Sequence, residues 1–128
     1  FGVRMGIKRY NLDIAARVEE GRTAANERMA AVFDQTDFII CASNPDIAFP
    51  AHIESNTRVA GEKAPAGNNG ALTIPANISG NPAISVPAGL VDGMPVGVQI
   101  IGVQHSDRAI LDLAHLWERY NPWPLIAE

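Results

Sequence analysis

The sequence predicts an α/β fold, a partial mixed β-sheet flanked by helices, on three observations. The N-terminal third places apolar residues at helical spacing. Two apolar segments, 82–90 and 95–101, are joined by Asp92-Gly93, a dipeptide suited to tight reversals. A final segment, 107–119, returns to helical spacing with one apolar stripe. At 128 residues and 47% hydrophobic content the chain is long enough for one core and too short for two.

Taken in order, Ile14, Val18, Ala25, Met29, Val32 and Phe33 return to one face every three or four residues, with charged side chains between them. This predicts an amphipathic helix pair or one interrupted helix, broken at Gly21, with Thr23 capping the second segment. The run 38–42 is short and uninterruptedly apolar, bounded by Asp37 and by Ser43-Asn44-Pro45, as in a strand buried on both faces. From Asn44 to Asn69 periodicity disappears, and Pro, Gly, Asn and Ala dominate. A loop this long inside a compact domain is functional or mobile.

Residues 71–78 predict a short helix, because Pro75 is tolerated in a first turn and Gly80 supplies a stop. The hairpin follows, with Pro82, Pro87 and Pro95 at or near strand ends, where a missing donor does least harm. In its second strand Val96, Val98 and Ile100 face one way while Gly97, Gln99 and Ile101 face the other. Gln99 thus enters an apolar face and is expected to make a structural hydrogen bond. In the last helix Ser106 is the expected cap, and Ile110, Leu113, Ala114 and Trp117 form the stripe. His115 lies off it. Leu111, Leu116 and Tyr120 widen the apolar surface, as expected of a helix that touches more than one neighbour. The division is 1–36 helical, 37–69 strand and long loop, and 70–128 helix, hairpin and final helix.

Charge excludes some functions. A net charge of −4 and pI near 5.3, with no basic run, argue against a nucleic-acid surface. No apolar stretch reaches the ~20 residues of a membrane helix, and no signal peptide is visible. Cys41 alone cannot form an internal disulfide. It reads as a small hydrophobe in a protein of the reducing cytoplasm. Phe1 in place of a methionine is expected of an excerpt, a cleavage product or a truncation.

Amide hydrolysis needs a nucleophile, a proton shuttle and oxyanion donors together. None of Ser43, Ser55, Ser79, Ser85 and Ser106 stands in a GxSxG elbow or a glycine-flanked serine run. Ser43, His52 and Asp46 form the kind of trio any chain of this size offers by chance. His52 and Glu54 lack a second histidine at ligand spacing and read as solvated loop residues. No catalytic residue, metal or cofactor is assigned.

Residues 68–102 read NNGALTIPANISGNPAISVPAGLVDGMPVGVQIIG. Asn77, Gly80, Pro82 to Ser85, Pro87 and Gly89, then Asp92, Gly93, Pro95 to Gly97, Gln99, Ile101 and Gly102, closely resemble the C-terminal core motif of the amidase signature family. Upstream, Arg28, Phe33, Asp37 and the next strand are similar to the family's helix and strand before its substrate-side loop. Downstream, the helix to Arg119 and Pro122-Trp123-Pro124 look like the end of many bacterial amidases. The likeness covers the chain from about Gly21 onward.

The resemblance implies that the chain supplies the C-terminal part of the amidase signature fold. It implies that the parent enzyme hydrolyses the C–N bond of a small-molecule amide. The family's Ser, cis-Ser and Lys lie on preceding segments, and neither Lys8 nor Lys63 sits in that motif, so the chain alone is expected to be inactive. Its share would be scaffold and one pocket wall, through residues 44–49 and through Asn44, Asn68, Asn69 and Thr73 as substrate-binding residues. Glutamine-using amidotransferase subunits commonly have an acidic residue close before the Leu-Thr pair, where this chain has Gly70; this points away from a tRNA-dependent amidotransferase. The expected partner is the N-terminal remainder of the enzyme, and self-association is expected where strands lack neighbours. The alternative is a non-catalytic interaction or binding module reusing this fragment. A lysine and a Gly/Ser-rich stretch upstream of Phe1 would separate the two.

Overall fold

The computed structural model describes residues 6–7, 10–65 and 67–123. Lys8 and Pro124 therefore lie outside the described residues. Helix α1 (Leu12–Phe33) leads into strand β1 (Phe38–Ala42). A loop carrying the short strands β2 (Arg58–Val59) and β3 (Glu62–Lys63) precedes helix α2 (Ile74–Ser79). Strands β4 (Ala83–Val91) and β5 (Met94–Gly102) then pair before helix α3 (Asp107–Tyr120).

The main sheet has the order β1-β5-β4, with both pairings antiparallel. The α/β class stands, and the part of the sheet described here is antiparallel throughout. Asp92 and Gly93 make the β4–β5 reversal with φ of 51° and 77°, a pair of positive values whose twist suits a two-residue hairpin. Past Pro87 the pairing slips, so that the next partners are Leu90 and Pro95. The Trp117 indole donates to the Pro87 carbonyl at 3.0 Å and pins α3 to this irregularity.

The buried apolar cluster lies on one face of the sheet. Val86 and Ile100 from the sheet meet Ile110 and Ala114 from α3, with Leu113 and Trp117 packed at the margin. The expected stripe is therefore the face that packs. On the other face Gln99, 5% exposed, donates to the Leu72 carbonyl at 2.9 Å, tying the sheet to the segment before α2. Its amide also reaches Cys41 Sγ at 3.4 Å. Gln99 makes the structural hydrogen bond its position predicts.

Several local expectations are corrected. Helix α1 runs unbroken through Gly21, with Thr23 inside it and Asn11 as its cap, Oδ1 accepting from Ile14 N at 2.9 Å. A mid-helix glycine costs about 1 kcal/mol, which weakens a helix without ending it. Strand β1 is half-buried, with Ile40 61% exposed, because it lies at a sheet edge. The long loop holds a hairpin turned at Ala60-Gly61, φ 50° and 83°, with Arg58 Nη1 donating to the Gly61 carbonyl at 2.6 Å. Ser106 occupies the cap position of α3 but donates its hydroxyl to the Val103 carbonyl at 2.7 Å. A hydroxyl turned toward a preceding carbonyl does not accept from the helix amides.

Leu111, Leu116 and Tyr120 of α3 are exposed, as are Leu90 and Val91 of β4. No helix among the described residues is long and apolar enough to cross a membrane.

Candidate functional site

A cavity of about 690 Å³ opens at the end of the sheet where β1 runs out and the β4–β5 hairpin begins. Its floor is Val96, Gly97 and Val98 of β5, and Ile47 and Phe49 of the long loop close the side. The loop keeps its course through short polar contacts. Asp46 Oδ1 accepts from Ile47 N at 2.8 Å, and Asn56 Nδ2 donates to the Ile47 carbonyl at 3.0 Å. Asn44, Asp46, Asn56 and Asn69 are the polar side chains of the wall. A few polar groups on an apolar lining, in a volume of a few hundred Å³, is how small-molecule sites are built.

Of the four residues read from sequence as substrate-binding, the structure brings Asn44 and Asn69 to this cavity. The whole of 44–49 except Pro45 lines it. Asn68 and Thr73 are placed elsewhere. Asn68 is 8% exposed, and among the described residues neither Oδ1 nor Nδ2 has a hydrogen-bond partner. Thr73 donates its hydroxyl to the Gly70 carbonyl at 3.3 Å, within the turn before α2. Asn56 was missed by sequence reasoning, since the loop lacks periodicity and one asparagine among several carries no signal.

An asparagine carboxamide offers a donor and an acceptor together, the complement of a substrate amide's carbonyl and N–H. Two such groups can orient an amide. Breaking it needs more, and among the described residues no histidine or lysine lines the cavity. Ser43 adjoins the cavity, but its hydroxyl bonds to that of Ser85 and not to His52, which is exposed. Asp46 lies on the wall with one oxygen committed to its own loop. Among the described residues no three metal-ligating side chains come together.

Known proteins share this sequence pattern and fold. The family model described as Amidase matches residues 5–111. A glutamyl-tRNA(Gln) amidotransferase subunit from Dehalococcoides mccartyi is 33% identical over 107 residues, covering 84% of this chain and 21% of that protein. A bacterial aryl acylamidase of the amidase signature family superposes with a TM-score of 0.81 at 28% identity, over 92% of this chain and 25% of that one. The corresponding amidotransferase subunit from Thermotoga maritima gives a TM-score of 0.66 at 30% identity, over 94% and 26% respectively. The chain thus spans about a fifth of the curated relatives it matches. The lean away from amidotransferases drawn from Gly70 stands beside relatives that bear that name. On the extended motif, the matched family model and the shared fold, the chain belongs to the amidase signature family.

Proposed function

We propose that the chain is the C-terminal segment of an amidase signature domain whose complete enzyme hydrolyses the C–N bond of a small-molecule amide. This segment supplies scaffold and one wall of the substrate pocket. The observation that carries the reading is the cavity between the β5 floor and residues 44–49, with Asn44 and Asn69 on its wall and, among the described residues, no lysine or histidine lining it. Such a wall binds and orients without providing nucleophile or base. Those groups come from the remainder of the enzyme, which packs against the exposed outer residues of β1, β4 and α3 and completes the site. The enzyme acts in the cytoplasm.

Asn44 and Asn69 hold the substrate amide through paired donor and acceptor contacts. Asn68 and Thr73 act from behind the wall: Thr73 fixes the turn that carries Asn69, and the Asn68 carboxamide is met by a segment of the remainder. The name acylamidase on a solved relative supports hydrolysis, and the amidotransferase names support an amide as the bond attacked.

The test is kinetic. The chain alone is assayed against simple amides, then again with the preceding segment of the enzyme supplied in trans. Turnover only in the second mixture supports the reading, and turnover by the repurified chain alone sinks it.

A further inference from the structure

A second crevice, of about 340 Å³, lies between the C-terminal half of α1 and the turns at 79–81 and 103–104. It shares no lining residue with the first cavity. The C-terminal half of β5 separates the two, from Val98 on the first to Val103 on the second, roughly 17 Å at strand rise.

Its polar side chains are Asn26, Ser79, Asn81 and Gln104, which can both donate and accept, and Asp34, a carboxylate. Asn81 Nδ2 donates to the Gly102 carbonyl at 2.8 Å, and Gln104 Nε2 donates to the Ser79 carbonyl at 2.6 Å. One hydrogen of each amide nitrogen is thereby committed to backbone, and the carbonyl oxygens of Asn81 and Gln104 stay available as acceptors beside one remaining N–H on each. Ser79 lines the crevice at 6% exposure, and its hydroxyl has no hydrogen-bond partner among the described residues. Asp34 adds a carboxylate that pairs with no cation among the described residues.

The field points the same way. Asp34 is the C-terminal cap residue of α1, and the last turn of that helix contains no basic residue. A helix C-terminus carries about half a negative charge, so the carboxylate and the helix end reinforce each other. Met29, Phe33 and Val103 supply apolar wall beside this oxygen-rich end. An apolar stem ending in a multiply donating cation matches both parts.

We propose that this crevice is a binding site for an alkyl guanidinium or ammonium group, with Asp34 as counter-ion and Ser79, Asn81 and Gln104 as acceptors. Such a group comes either from a free small-molecule amine or from an Arg or Lys side chain of a protein segment. The site is independent of the amide-cleaving reading, because it needs neither the first cavity nor a catalytic residue.

The test is amide chemical-shift titration of the full chain with two probes, agmatine and the blocked tripeptide acetyl-Gly-Arg-Gly-amide, and with 1-pentanol as the uncharged control. Saturable shifts at Ser79, Asn81, Val103 and Gln104 with agmatine or the peptide, and none with 1-pentanol, are expected. Tighter binding of agmatine identifies the small-molecule source, and tighter binding of the peptide identifies the protein source. Asp34→Asn should weaken binding by roughly five- to tenfold. Ser79→Ala removes a hydroxyl that bonds nothing in the free chain, so it should fold and bind about two- to fivefold more weakly. Absence of saturable binding, equal response to 1-pentanol, or unchanged affinity in a folded Asp34→Asn or Ser79→Ala variant overturns the proposal.

Discussion

Ser43 and Ser85 lie on opposite sides of the central strand β5, yet their hydroxyls hydrogen-bond to each other across Gly97. Ser43 follows β1 and donates its amide to the Gly97 carbonyl at 2.9 Å, while Ser85 belongs to β4. The missing side chain at Gly97 is what lets them meet, since a Cβ there would stand 2.7 and 2.8 Å from the two hydroxyl oxygens. The contact ties three strands together at the edge of the large cavity.

Gly97→Ala should therefore destabilise the chain by about 1–3 kcal/mol, the usual effect of inserting a carbon into filled space. Adding Ser43→Ala and Ser85→Ala should recover part of the loss, because the obstructing atoms are then gone. Urea unfolding of the set measures it. A Gly97→Ala variant as stable as the parent refutes the packing argument.

Gln99→Leu keeps most of the side-chain volume and removes the donor to Leu72. It should lower stability by about 1–3 kcal/mol, because the Leu72 carbonyl loses its bond to the sheet. Thermal unfolding monitored by circular dichroism reports the change, and a rise in midpoint contradicts the structural role given to Gln99.

Asn68→Leu should behave in the opposite way in the isolated chain. Its carboxamide is buried without partners among the described residues, so an apolar replacement is expected to leave stability unchanged or raise it by up to about 1 kcal/mol. If the remainder of the enzyme meets this carboxamide, as proposed, the same change should lower the stability of the complete enzyme, because a partner is then lost. Parallel denaturation of both forms decides it, and loss in the isolated chain runs against this account.

Asn44→Ala and Asn69→Ala, made in the complete enzyme, should each raise KM for an amide substrate about two- to tenfold with little change in kcat, as loss of one neutral hydrogen bond in binding would. Steady-state kinetics reads both constants. An unchanged KM in both variants removes them from the pocket wall.

Leu111 and Leu116 are 57% and 46% exposed on α3. The isolated chain should associate through them, and the double change Leu111→Glu with Leu116→Glu should reduce its apparent mass in sedimentation velocity without loss of helical signal. A parent chain that stays monomeric at high concentration speaks against an uncovered face.

Much of this was legible in the sequence because the signals are local. The Asp92-Gly93 reversal needs only two residues that accept positive φ. The stripe Ile110, Leu113, Ala114 and Trp117 needs only helical spacing, and strand 38–42 needs only an apolar run between turn formers. The extended motif at 68–102 pointed to the family for the same reason, since a long ordered string of residue types is specific without any coordinates.

What the sequence could not decide is what lies beside what. It did not bring Asn44 and Asn69 to one cavity, separate both from Asn68 and Thr73, or set Ser43 against Ser85, because those relations depend on the packing of segments dozens of residues apart. Gly21 and Ser106 show the same limit at short range: a glycine reads as a break and a serine as a cap until the surrounding structure sets their backbone and partners. Sequence determined the family, the turns and the helix faces, where the governing interactions span a few residues. Tertiary structure decided the cavity wall, the acceptor-rich crevice and the unpartnered carboxamide of Asn68, because burial and hydrogen-bond satisfaction belong to the packed chain as a whole.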